Sequence, residues 1–139
     1  MERFDRIDRL PGSLEMAFLG DTIYDFYIRR RLLVTGGSMK MLQMQASKRV
    51  CAHAQARALD RIEHMLTENE LAVVRRARNA KQRPPKNADP TLYQRATGLE
   101  ALLGWLYIHE QEDRIDQLMR EILAHMDEII STEGDKENA

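Results

Sequence analysis

The chain has 139 residues, 43% hydrophobic and 31% charged, and a formal net charge of −1. That length and balance fit one globular domain. No apolar run is long and uncharged enough to span a membrane, and the charged start MERFDRIDRL lacks the apolar segment of a secretory signal. Cys51 is the single cysteine, so no internal disulfide can form and a reducing cytoplasm is the expected location.

Pro11-Gly12-Ser13 reads as a stop followed by a helix cap, with Ser13 as the capping oxygen. The first helix is predicted to run to about Val34, where Thr35-Gly36-Gly37 ends it. Ser38 caps a second helix, predicted over 39–62, with Met39, Leu42, Ala46, Val50 and Ala54 as its apolar stripe. Thr67-Glu68-Asn69-Glu70 has the pattern of a capping box and opens a helix over 68–80 with Leu71, Val74 and Ala77 inward. Pro84-Pro85 and Pro90 make 82–90 a loop. Helices over 92–108 and 113–130 follow, and residues 131–139 read as a polar, disordered tail. With no alternating strand pattern and no repeat, the fold class is all-α, one domain over 1–130.

The first helix is apolar on nearly every side, which predicts a buried helix, yet Asp21 and Asp25 sit one turn apart in its middle. A buried carboxylate is costly unless it is paired or binds a metal. The helix around Ala96 repeats the oddity: ATGLEALLGWLYI is apolar apart from Glu100, which Gly98, Ala101 and Gly104 flank, much as Ala17 and Gly20 flank Asp21. Glycine inside a helix costs ~1 kcal/mol relative to alanine, a cost tolerated where another backbone approaches closely. The two helices are therefore expected to cross at their small residues and bring Asp21 and Glu100 together. Converging carboxylates repel unless a cation lies between them, and hard oxygen ligands suit Mg²⁺ or Mn²⁺.

Charge is unevenly spread. Arg75, Arg76, Arg78, Lys81, Arg83 and Lys86 occupy 75–86 with no acid among them, whereas from Glu110 onward ten acids face only Arg114, Arg120 and Lys136. The basic run suits an anionic partner; its plainer reading is a solvated loop. A metal flanked by carboxylates beside a phosphate-binding segment describes a metal-dependent phosphodiesterase on nucleic acid. The plainer reading of the acids is pairing with Arg29, Arg30, Arg31 or Arg95. Other chemistries find little support. His53, His64, His109 and His125 show no zinc-type spacing, Cys51 has no thiol partner, and there is no phosphate-binding glycine loop.

At this point the motifs become familiar. LEMAFLGDTIYD resembles the signature helix of the ribonuclease III family, with its LEFLGDS core, and GLEALLGWLYI resembles that family's second acidic motif. Ala17, the run RRARNAK, ProLysAsn at 85–87 and the stretch from Tyr93 to Ala101 resemble its Mini-ribonuclease III branch. The resemblance implies an all-helical, homodimeric, cytoplasmic endoribonuclease that cleaves double-stranded RNA, with no membrane partner. Its substrate would be the large-subunit (23S) ribosomal RNA precursor, with a large-subunit ribosomal protein as a further partner. It implies Mg²⁺, for which Mn²⁺ may substitute, held by Asp21 and Glu100 as catalytic and metal-binding residues. Arg75, Arg76, Arg78, Asn79, Lys81, Lys86 and Asn87 would meet the RNA, and Phe18 would pack across the dimer interface.

Two positions depart from the wider family. Ala17 and Thr97 stand where it usually has Glu and Asp, leaving two carboxylates per site rather than four. Asp25 and Thr97 are assigned structural or supporting roles. The family's separate double-stranded-RNA-binding domain is also missing from this sequence, so binding is expected to be weak and salt-dependent. Two rivals stand beside this reading: a catalytically silent relative that binds RNA or ribosomal protein, and a helical interaction protein whose acids pair with arginines.

Overall fold

A computed structural model describes residues 7, 9–80 and 82–131 of the chain. Six α-helices follow in order: α1 (Ser13–Thr35), α2 (Met39–Val50), α3 (Ala52–Ile62), α4 (Glu68–Arg78), α5 (Pro90–Ile108) and α6 (Glu112–Ala124). A 3₁₀ turn (Glu63–Met65) links α3 to α4, and residues 126–131 add a last helical turn. There is no strand among the described residues. The expected tail at 131–139 lies outside the described residues except for Ser131, as does Lys81.

The helix buried on all sides is α5. Leu99, Leu102, Leu103 and Leu106 are fully enclosed, and α1, α3, α4 and α6 pack around it. The expectation of an all-round buried α1 is corrected. One side of α1 is buried through Met16, Gly20, Tyr24, Ile28 and Leu32, while Phe18 is 84% and Phe26 56% exposed. These two aromatics lie two turns apart on one side of the helix, so apolar composition here conceals a core face and an uncovered face.

α1 and α5 cross in backbone contact. A Cβ on Gly20 would lie 1.6 Å from the Glu100 carbonyl oxygen, and one on Gly104 would lie 2.0 Å from that of Met16. The expected crossing at small residues is present, with one change. Gly98 serves a different contact: a Cβ there would lie 2.9 Å from the Cγ1 of Val74 in α4.

Helix ends account for the remaining differences. Gly12, not Ser13, is the N-cap of α1, and its N–H donates to Glu15 Oε1 at 3.1 Å. The single helix expected over 39–62 is two, because Cys51 is extended at φ −67°, ψ 161°. The end of α2 is held by side chains. Cys51 Sγ donates to Lys48 O at 3.6 Å, Tyr24 Oη to Arg49 O at 2.8 Å, and Gln55 Nε2 to Val50 O at 3.1 Å. Those are carbonyls that a helix end leaves without partners. Pro90 starts α5 rather than closing the loop before it: Asp89 Oδ1 accepts from Thr91 N at 2.9 Å and Leu92 N at 3.4 Å, and proline at the first helical position sacrifices no bond. The helix expected over 113–130 is interrupted at His125.

The capping box at α4 forms as expected: Glu70 N donates to Thr67 Oγ1 at 3.1 Å and Thr67 N to Glu70 Oε1 at 2.9 Å. Glu70 is also the one fully buried acid among the described residues, 3% exposed. Arg114 of α6 grips it with Nε to Oε2 at 2.9 Å and Nη2 to Oε1 at 2.8 Å, and also donates to Met65 O at 2.7 Å. Burial opposes the charge on Glu70, but the Arg114 and Thr67 hydrogen bonds outweigh it and hold its carboxyl below the usual range.

The crossing sets a direct test. Gly104→Ala gains helix propensity of ~1 kcal/mol but drives a methyl into the α1 backbone, an overpacking cost of about 1–3 kcal/mol or more. A thermal melt should show the variant several degrees less stable; an unchanged or higher melting temperature would contradict the contact.

Candidate active site

The crossing carries its chemistry on one rim. Asp21, one residue past Gly20, and Glu100, whose own carbonyl touches Gly20, line a single open pocket of about 340 Å³. Ala17 and Phe18 of α1, Ala52 and Gln55 from the start of α3, Gln82 of the loop, and Tyr93 and Thr97 of α5 complete its wall, with Leu14 at the edge. Asp21 is exposed and Glu100 half-buried. Of these two acids, both expected to be buried, only Glu100 bears a cost of burial.

Asp21 and Glu100 line the same pocket closely enough for their carboxyl groups to interact, and a hydrogen bond between them needs a shared proton. Burial first, then the hydrogen bond and repulsion from Asp21, push the Glu100 carboxyl up to about 9, while the Gln55 amide, donating to Glu100, works the other way. Such a pair cannot ionise fully unless a cation replaces the shared proton. The groups around it are oxygens and amides, the set that suits a hard divalent ion rather than zinc or copper. No group of three or more His, Cys, Asp or Glu side chains placed to hold a metal ion occurs among the described residues. Two carboxylates with water and phosphate suffice for Mg²⁺, which keeps most of its hydration shell.

Asp25 is not part of this pocket. Arg29 Nε lies 3.0 Å from both of its carboxylate oxygens, an i, i+4 pair along α1. Arg95 likewise serves the scaffold, reaching Asp60 at 2.5 Å and Glu63 at 3.0 Å. Thr97 lines the pocket: its hydroxyl donates to Tyr93 O at 2.9 Å and accepts from Gln82 Nε2 at 2.9 Å. That second bond ties the loop before α5 to the pocket.

The basic run is not one loop. Arg75, Arg76 and Arg78 form the last turn of α4, capped by Asn79, and Lys86 and Asn87 lie in the turn before α5. Arg75, Arg76, Asn79, Lys86 and Asn87 are exposed and Arg78 is half-buried. Asn87 sits in the left-handed region at φ 73°, a conformation asparagine tolerates better than most residues. Arg75, Arg76, Arg78 and Lys86 have no acidic partner among the described residues. Phe18 stands at the pocket's rim with its ring in solvent.

Gln55, Gln82 and Tyr93 are pocket residues that the sequence reading missed. Gln82 and Tyr93 could have been suspected from their nearness to Thr97 in the chain. Gln55 could not, because only the break at Cys51 turns it to the pocket.

Comparison with known proteins shows the chain's family. Residues 14–111 match the Ribonuclease III domain model. The chain is 43% identical over 109 residues to a Mini-ribonuclease 3 of Symbiobacterium thermophilum, covering 77% of this chain and 84% of that protein. It is 39% identical over 125 residues to one of Brevibacillus brevis, covering 88% and 93%. A crystal structure of a protein from Fusobacterium nucleatum superposes with a TM-score of 0.76 at 30% identity, covering 84% of this chain and 94% of that one. The chain belongs to the ribonuclease III family, in its Mini-ribonuclease 3 branch.

Proposed function

We propose that this chain is a divalent-metal-dependent endoribonuclease acting on double-stranded RNA. The observation that carries the reading is the Asp21–Glu100 pair, two carboxyl groups brought into one pocket by a backbone crossing. Asp21 and Glu100 would hold one Mg²⁺, or Mn²⁺ in its place. Bound there, such an ion would supply an activated water and neutralise charge on the scissile phosphate.

The chain's own residues do the rest. The crossing fixes both carboxylates on rigid helices, so little reorganisation is needed when substrate arrives. Thr97 and Gln82 hold the pocket wall and connect it to the turn bearing Lys86 and Asn87. Arg75, Arg76, Arg78 and Asn79, with Lys81 in the same run, would meet backbone phosphates and read A-form shape rather than sequence. Asp25 acts on the scaffold through Arg29. The exposed Phe18, with Phe26 and Leu14 on the same helix, supports a homodimer formed on α1. The branch extends the reading to large-subunit ribosomal RNA precursors in the cytoplasm, with a large-subunit ribosomal protein as a second partner there. No described helix is long and apolar enough to cross a membrane.

In an assay of long double-stranded RNA with Mg²⁺, wild type should cut, while Asp21→Asn and Glu100→Gln should each lose at least about 100-fold in rate with folding intact. Wild-type cleavage should also fall more than about tenfold between ~50 and ~200 mM KCl, because the basic run binds by releasing counterions. A folded wild type that binds but never cuts would favour the silent relative.

Phe18→Asp should convert a dimer to a monomer in sedimentation, since it places a charge in the centre of an apolar contact. A wild type that sediments as a monomer at micromolar concentration would remove the dimer from the account.

A further inference from the structure

Gln55 is 3% exposed, yet nothing in its own helix requires an amide there. It stands on the first turn of α3, just past the break at Cys51, and its side chain runs into the pocket wall. Nε2 donates to Val50 O at 3.1 Å, and the amide lines the same pocket as the Glu100 carboxyl. The orientation of the amide is fixed by this pairing, because a carbonyl oxygen can only accept and the flipped amide would set oxygen against oxygen.

The other end of the amide is unusual. Oε1 is buried and has no hydrogen-bond partner. Buried polar atoms are nearly always satisfied, so an orphan in a site wall marks a missing water, ion or ligand. The neighbouring donors are engaged: the Thr97 hydroxyl with Tyr93 O, and the Gln82 amide with Thr97. Asp21 and Glu100 bring acceptors. What the pocket lacks at this point is a donor held beside two carboxylates, and a water hydrating a divalent cation is such a donor.

We propose that Gln55 is a positioning residue of the metal site: it orients the Glu100 carboxylate through Nε2, and its Oε1 accepts from a water in the shell of the bound cation. The inference rests on the metal reading above. It also gives a role to neutral groups in a site with two carboxylates where the wider family has four. An amide places a dipole rather than a further charge near the ion, so the cation keeps its water there and binds more weakly than it would beside a third acid.

The test is Mn²⁺ binding to RNA-free protein, followed by the electron paramagnetic resonance of free Mn²⁺, for wild type, Asp21→Asn, Gln55→Ala and Gln55→Glu, each with a melt in chelator. Both Gln55 variants lose the bond to Val50 O, so both should melt lower without metal. Their affinities should move in opposite directions. Gln55→Ala should weaken Mn²⁺ binding by about 10–100-fold, whereas Gln55→Glu should tighten it by about threefold or more as ligand charge rises. A residue that merely caps α2 would lower both melts and leave both dissociation constants at the wild-type value, and that result overturns the proposal. Should Gln55→Ala fail to fold, Gln55→Glu decides: an affinity equal to or weaker than wild type overturns it. A wild type matching Asp21→Asn, with neither binding Mn²⁺, would take down the metal reading and this inference together. Wild-type binding with unmoved Gln55 variants takes down this inference alone.

Discussion

Everything in this fold that bears on function depends on how closely α1 approaches α5. Two glycines, Gly20 and Gly104, let each helix meet the other's carbonyl oxygens at distances no side chain would allow. The contact is local, but its geometric consequence is specific. Helices that touch backbone to backbone cannot slide or rotate without a clash, so Asp21 and Glu100 keep one relation to each other. The leucines of α5 and the buried side of α1 supply the apolar burial that holds the crossing shut. Stability of the core and precision of the pocket thus come from the same contact.

A second device brings α3 to the pocket. The chain leaves helical conformation for a single residue, Cys51, and turns so that Ala52 and Gln55 face the two acids. A helix broken in its middle leaves carbonyls without donors. Here Cys51, Tyr24 and Gln55 satisfy three of them. Tyr24 comes from α1 and is completely buried, so the same helix that carries Asp21 also fixes the bend that presents Gln55. The Glu70–Arg114 pair has a purely architectural part, joining α4 to α6 while closing the cap on α4.

These two devices were legible in the sequence to very different degrees. The glycine-flanked acids in apolar helices were enough to expect the crossing and the meeting of Asp21 with Glu100, because backbone approach has a composition signature. All-round burial holds for α5 and fails for α1, since apolar residues mark either a core or an uncovered face, and Phe18 and Phe26 lie on an uncovered one. Pro90 was misread as loop because proline breaks helix interiors yet begins helices well; Asp89 just before it was the available clue. The break at Cys51 has no signal, since neither glycine nor proline stands there and two of the three bonds that hold it come from Tyr24, distant in the chain, and Gln55, beyond the break. Gln55, Gln82 and Tyr93 were hidden for the same reason: which polar residue faces a pocket is decided by tertiary structure.

The pocket stores an electrostatic cost that a cation between Asp21 and Glu100 would relieve. Glu100 carries its proton more tightly in the fold than in the unfolded chain. Its contribution to stability is therefore fully present below pH ~4.5 and is lost as pH rises toward about 9. The most direct measurement is the melting temperature of wild type and Glu100→Gln near pH 9, in chelator and with millimolar Mg²⁺ or Mn²⁺. In chelator the variant should melt higher than wild type, and metal should raise the wild type while leaving the variant almost unmoved. A wild type indifferent to both ions, or a variant that gains as much from them, would contradict the claim that Asp21 and Glu100 form a cation site.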